Sequence, residues 1–174
     1  MQRHIDVELS DVKDELVRLA TLAEAAIGLS IKALVSRDAE LARTVIASDE
    51  AINTLEVELD ERCLRTMALY QPEAKDLRFL AMALKINNDL ERMGDQAVNI
   101  AERTLELLKE PLLKPLIDIP RMAELTQRMV KDSLDAFVRQ DVQLARSVCR
   151  RDDDVDRYDD QLFRELLTYM MEDP

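Results

Sequence analysis

Residues 84–102 read LKINNDLERMGDQAVNIAE, and their periodicity decides the fold. At about 3.6 residues per turn, Phe79, Met82, Ile86, Leu90, Met93, Ala97 and Ile100 fall on one apolar stripe with i+3/i+4 spacing. That spacing predicts a helix whose other side carries Asn88, Glu91, Asp95, Asn99 and Glu102, none of them basic. Like charges one turn apart destabilise an isolated helix by roughly 0.2–0.5 kcal/mol, and a solvated face ordinarily relieves this with a cation four residues away. The line therefore reads either as a solvated acidic face or as a row of oxygen ligands. Gly94 sits between Glu91 and Asp95. A glycine inside a helix costs about 1 kcal/mol relative to alanine, and here its missing side chain leaves room for a neighbouring helix or an inorganic group.

Outward from this stretch the chain remains helical. Leu9, Leu16, Leu19, Leu22, Ala26, Leu29, Ala33 and Leu34 predict a first helix from about residue 5 to 35. Asp38 is the expected N-cap of a second helix, which carries Leu41, Val45, Ile52, Leu55, Leu59, Cys63 and Met67 toward the core. Pro72 marks the entry to the third, which runs to about residue 110. Long helices with very short connections predict an antiparallel, up-down-up bundle. The segment PLLKPLIDIP, residues 111–120, reads as a proline-rich linker. Past it, Met122, Leu125, Met129, Leu134 and Phe137 start a fourth helix; Leu144, Val148, Val155, Leu162, Leu166 and Met170 form a fifth.

The two halves repeat in one register. At an offset of 103, Leu22 pairs with Leu125, Ser30 with Ser133, Asp38 with Asp141 and Leu41-Ala42-Arg43 with Leu144-Ala145-Arg146. Val45 and Val148, Asp49 and Asp152, Ile52 and Val155, Leu59 and Leu162, and Met67 and Met170 continue it. The expected organisation is all-α: a first three-helix bundle over 1–110, the linker at 111–120, and an incomplete second bundle over 121–174 that lacks its third helix.

Composition agrees. Of 174 residues 47% are hydrophobic, only two are glycine and none is tryptophan, a mixture suited to helices. A net charge of −12 repels phosphate backbones, which excludes direct nucleic-acid binding and suits cations or basic protein patches. The N-terminal MQRHIDVELSD has no apolar signal core, and no run is read as reaching the roughly 18 apolar residues of a membrane span. These features predict a soluble, cytoplasmic protein that meets the membrane through partners only. Cys63 and Cys149 lie in helical apolar patterns and are expected to be buried thiols. The sole histidine, His4, lies near the N-terminus, so neither a Glu-x-x-His di-iron motif nor a histidine-based triad is available, and no glycine-rich phosphate loop exists. No catalytic residue is assigned.

The second helix has an oxygen line of its own, Asp49, Asn53, Glu56 and Asp60, spaced four, three and four. Its counterparts in the second repeat include Asp152, Asp156 and Asp159. Such lines lie beside the apolar stripe and border a groove with a neighbouring helix. Carboxylate and amide oxygens suit Mg²⁺, Ca²⁺, Mn²⁺ or iron.

Gln71-Pro72, Asp76-Leu77-Arg78, Leu90-Glu91-Arg92-Met93-Gly94-Asp95 and Asn99-Ile100 together resemble the PhoU family signature. Asp49-Glu50-Ala51-Ile52-Asn53 and Tyr169-Met170-Met171-Glu172-Asp173-Pro174 extend the resemblance over essentially the whole chain. It implies two homologous three-helix bundles and a non-enzymatic, negative regulatory role in bacterial phosphate signalling. The implied partners are the ATPase of the phosphate ABC transporter and the phosphate-sensing histidine kinase. Some members bind metal clusters at (Glu/Asp)-x-x-x-Asp motifs, which here correspond to Glu91 with Asp95, Asp49 with Asn53, and Asp152 with Asp156. Asn53 departs from the pattern by replacing a carboxylate with an amide, and the chain stops before a second Glu-Arg-x-Gly-Asp helix. The uncovered helices of the second repeat are then expected to associate with another copy. The rival readings are a metal-dependent enzyme or metal store using the same carboxylates, and a purely structural helical oligomer.

Overall fold

The computed structural model describes residues 4–172, so Asp173 and Pro174 of the C-terminal signature lie outside the described residues. Five helices follow in order: α1 His4–Ser36, α2 Ala39–Tyr70, α3 Ala74–Leu107, α4 Asp118–Arg139 and α5 Val142–Glu172. The described residues contain no strand. The chain reverses between α1 and α2 through Arg37 in the left-handed region (φ 53°), and Asp38 then accepts from the backbone N–H of Glu40 and Leu41 at 3.0 Å each. The second repeat does the same with its own residues. Gln140 is left-handed (φ 57°) and Asp141 accepts from Gln143 and Leu144 at 2.9 Å each. The repeat therefore extends to turn and cap geometry, where an aspartate satisfies the first orphan donors of the next helix.

The core of the first bundle is built where α1, α2 and α3 meet. Val12, Leu16, Leu19, Val45, Ile52, Leu55, Leu59, Cys63, Leu80 and Leu90 are buried there, as the periodicity requires for α1 and α2. α1 packs against α2, α3 and α4, and is therefore apolar around most of its circumference. As a result it contains an 18-residue window of mean hydropathy 1.5, enough by length and composition for a membrane span. This corrects the reading that no run reaches that length; the helix is a core element whose apolar residues face three neighbours.

The repeats meet at matching points. Gln127 Nε2 donates to the carbonyl of Glu24 at 2.9 Å, and these residues are 103 positions apart. A Cβ placed on Gly28 would fall 2.6 Å from Gln127 Nε2, so the crossing is tight. α1 and α4 run antiparallel about this contact, as two equivalent helices do around a local two-fold. Ten residues further along α4, Phe137 stacks on Phe79 of α3 with ring centroids 5.2 Å apart.

The connection between repeats is fastened at both ends. Arg37 Nη2 donates to the carbonyls of Leu107 (3.3 Å), Leu108 (3.1 Å) and Glu110 (2.6 Å), placing a cation on the carbonyl end of α3. Lys114 is buried and paired with Glu165 of α5. Pro120, placed in the linker by its proline-rich surroundings, lies in the first turn of α4, where a missing N–H breaks no helical bond.

The second repeat is less covered. Cys63 of α2 is fully buried beneath the first bundle, whereas its repeat mate Leu166 is 40% exposed. Phe163, Leu167 and Met170 are exposed alongside it. Cys63 is buried as expected but Cys149 is exposed, because α5 packs against α4 alone among the helices.

Candidate functional site

α3 does not present the stripe that its most apolar residues suggest. Its buried line is Leu80, Ala83, Asn87, Leu90, Gly94, Ala97, Ala101 and Thr104, which is rich in small and polar side chains. Phe79, Ile86 and Met93 pack only partly, and Met82 is exposed. The small residues face inward because two neighbours, α1 and α2, must approach α3 closely at once. The rotation turns Glu91 away from the solvent side and into the seam between α2 and α3, where it is half-buried.

Gly94 sets the closest point of that seam. A Cβ there would lie 2.9 Å from Ile52 Cδ1, 3.2 Å from Ile52 Cγ2 and 3.6 Å from Asp49 Oδ1. The glycine therefore lets α2 seat Ile52 and Asp49 directly against α3. Three of the carboxylates singled out from the sequence consequently meet. The Glu91 carboxyl is held above the ordinary carboxylate range by its burial first, then by Asp95 and Asp49, with Arg92 opposing. One Asp49 oxygen, Oδ1, is buried with no hydrogen-bond donor among the described residues, while Oδ2 accepts from Asn53 Nδ2 at 2.9 Å.

Further along the seam, Glu56 is raised by burial, then by Asp60 and Glu91. Asn87, fully buried, donates through Nδ2 to the carbonyl of Glu56 and to Asp60 Oδ1, both at 2.8 Å. Asn87 was not singled out by the sequence reading, which placed its neighbour Asn88 on the acidic line; Asn88 is exposed. The usable signal was Gly94 itself, because Asn87 lies two turns before it on the same line and a glycine at a close approach marks the inward face.

Asp152 and Asp156 do not join this cluster. Both are exposed on α5, which among the described residues packs against α4. Among the described residues no three His, Cys, Asp or Glu side chains stand in a ready arrangement for a metal ion. The seam is instead an acidic strip with two orphaned oxygens, Asp49 Oδ1 and Asn87 Oδ1. Its donors are oxygens throughout, since burial, Asp60 and Glu15 push the Cys63 thiol up to about 12 and keep it protonated. Such a set fits hard cations.

Two predictions come from this geometry. Gly94→Ala gains about 1 kcal/mol of helix propensity but forces buried Ile52 to move, an overpacking cost of about 1–3 kcal/mol. A net loss of about 1 kcal/mol is expected in urea unfolding, partly recovered when Ile52→Val removes the clashing Cδ1. The second concerns pH. A carboxyl whose folded pKa is raised binds its proton more tightly in the native state, so its unfavourable contribution is present above the folded pKa and is relieved as pH falls through it. Chelator-treated protein should therefore gain stability as pH falls from neutrality toward the ordinary glutamate range, and Glu91→Gln should reduce that gain when thermal unfolding is followed across it.

Comparison with known proteins agrees with this architecture. A family model described as PhoU domain matches residues 16–104 and 119–174. A phosphate-specific transport system accessory protein PhoU homolog from Aquifex aeolicus is 48% identical over 167 residues, 96% of this chain and 76% of the relative. One from Caulobacter vibrioides is 44% identical, over 96% of this chain and 73% of the relative. The crystal structure of PhoU from Pseudomonas aeruginosa superposes with a TM-score of 0.93 at 39% identity, covering 98% of this chain and 82% of that one. The phosphate transport system regulatory protein PhoU from Streptococcus pneumoniae gives 0.90 at 30% identity, with 98% and 80% covered. Matched by family model in both repeats and by fold along almost its whole length, the chain belongs to the PhoU family.

Proposed function

We propose that this protein is a non-enzymatic accessory and negative regulator of phosphate uptake and phosphate-starvation signalling. It acts in the cytoplasm as an adaptor between the ATPase of a phosphate ABC transporter and a phosphate-sensing histidine kinase. The observation that carries this reading is the family match through both repeats, shared with relatives named as phosphate transport accessory proteins. The surface chemistry supports it. A chain of net charge −12 favours basic patches on partner proteins, and the outer face of α2 offers Glu50, Val57, Glu58, Glu61 and Leu64 as a mixed acidic and apolar strip. The exposed apolar residues of α5, Phe163, Leu166, Leu167 and Met170, support self-association as well.

Metal belongs to the same proposal. Asp49, Asn53, Glu91 and Asp95 would hold a divalent or iron-type ion across α2 and α3, its charge offsetting the repulsion that raises Glu91. Asp152 and Asp156 occupy the equivalent place on α5. The bound ion would supply positive charge that ties two helices together.

Pull-down of the ATPase and the kinase by the purified chain, at high and low phosphate, tests the adaptor. Retention of either is expected, and retention should weaken when surface positions such as Glu58 and Glu61 are reversed to lysine. Failure to retain either, combined with Mn²⁺-dependent hydrolysis of a phosphoester by the purified chain, would establish the enzyme reading instead.

A further inference from the structure

Where the start of α3, the end of α4 and the start of α5 converge, a cleft of about 510 Å³ opens beside the stacked rings of Phe79 and Phe137. Met82 and Val142 line it as well and are exposed there. Its charged lining is Lys75 and Arg78 from α3 and Asp141 from the α4–α5 turn. Asp141 Oδ1 is occupied in capping α5, accepting from Gln143 and Leu144. A third cation, Lys13 of α1, places Nζ 5.3 Å from the Phe79 ring centroid. The opening is thus basic, on a chain of net charge −12.

The two α3 cations stand against the preference of their own helix. Lys75 lies in the first turn, where the positive end of the helix dipole favours anions, and Arg78 follows three residues later as a like charge. Arg43, Arg92, Arg103, Arg128 and Arg157 each meet a carboxylate three or four residues away in the same helix. No Asp or Glu stands at those distances from Lys13, Lys75 or Arg78. Asp76, next to Lys75 in sequence, does not line the cleft. Among the described residues none of the three cations forms an ion pair. An acidic chain that leaves them unneutralised around an apolar opening holds them for negative charge from outside.

Small ligands are ordinarily enclosed over most of their surface. This cleft is open, and Lys75 and Arg78 are exposed at its rim. Apolar ground within a charged rim is the anatomy of a protein contact. We propose that the cleft docks an acidic segment of a partner protein that carries one large apolar side chain. That side chain lies against Phe137, Met82 and Val142, a flanking carboxylate takes paired N–H groups of Arg78, and a second carboxylate meets Lys75. Screening confines electrostatics to a Debye length of about 8 Å, so the rim cations outweigh distant carboxylates at the contact. The contact has the opposite sign to the acidic strip of α2 and does not depend on the adaptor role.

A synthetic peptide, Glu-Asp-Phe-Glu-Asp, titrated into the isotope-labelled full chain and followed by amide NMR shifts, tests it. Shifts should concentrate at residues 75–82 and 133–145. Lys75→Glu with Arg78→Glu should weaken binding roughly tenfold, the effect of losing about one charge-assisted pair. Its Tm should not fall, because the change removes a like-charge pair and suits the first turn. Arg78→Gln, a milder change, should weaken binding in the same direction. Arg103→Glu with Lys109→Glu makes the same charge change at the other end of α3 and should bind as wild type does. A peptide with glycine in place of phenylalanine should bind more weakly. Absent or scattered shifts, equal binding by the cleft and reference variants, or equal binding of the amide peptide Gln-Asn-Phe-Gln-Asn would overturn the proposal. So would inorganic phosphate that reproduces the shifts at a lower concentration than the peptide, which would make the cleft a site for a small anion.

Discussion

The contact between Gly94 and Ile52 is the constraint on which the candidate site depends. With a larger residue at position 94, the Ile52 side chain would have to give way, because a Cβ there meets its Cδ1 at 2.9 Å. The missing Cβ sets the helix separation, and that separation makes an acidic row into an acidic seam. Burial and mutual repulsion then raise Glu91 and Glu56, while Asp49 and Asn87 each hold an oxygen with no donor among the described residues. Stability in this part of the bundle comes from the buried apolar residues on either side, chiefly Ile52, Leu55, Leu59 and Leu90. The seam itself works against them, a common arrangement where a protein keeps groups poised for a ligand.

The internal repeat shows what the seam needs. Asp152 holds the same place on α5 that Asp49 holds on α2, and Asp38 and Asp141 cap their helices identically. Among the described residues α3 faces the oxygen line of the first repeat, and there Glu91, Asp95 and Asp49 act on one another.

Much of this was visible in the sequence. Helix number, order and the Asp38 cap followed from periodicity and turn residues, and the 103-residue register reappeared as matched caps. The face of α3 did not follow. Leu90 and Ala97 of the expected stripe are buried, but bulk hydrophobicity also favoured Phe79, Met82 and Met93, whereas closeness of packing selects small residues, so Ala83, Gly94 and Ala101 turned inward and carried Asn87 with them. Cys149 failed for a related reason, since an apolar pattern buries a residue only where a partner helix exists to cover it. α1 misled in the other direction: three neighbours made it apolar enough to resemble a membrane helix.

The central claim is that the α2–α3 seam is a cation-responsive element held under electrostatic strain. Amide hydrogen exchange of chelator-stripped protein, with and without Mn²⁺, reads this directly and locally. Added ion should slow exchange at residues 49–60 and 87–95 while leaving α5 unchanged. Equal exchange in the two states, or a slowing spread evenly over all five helices, would contradict the account.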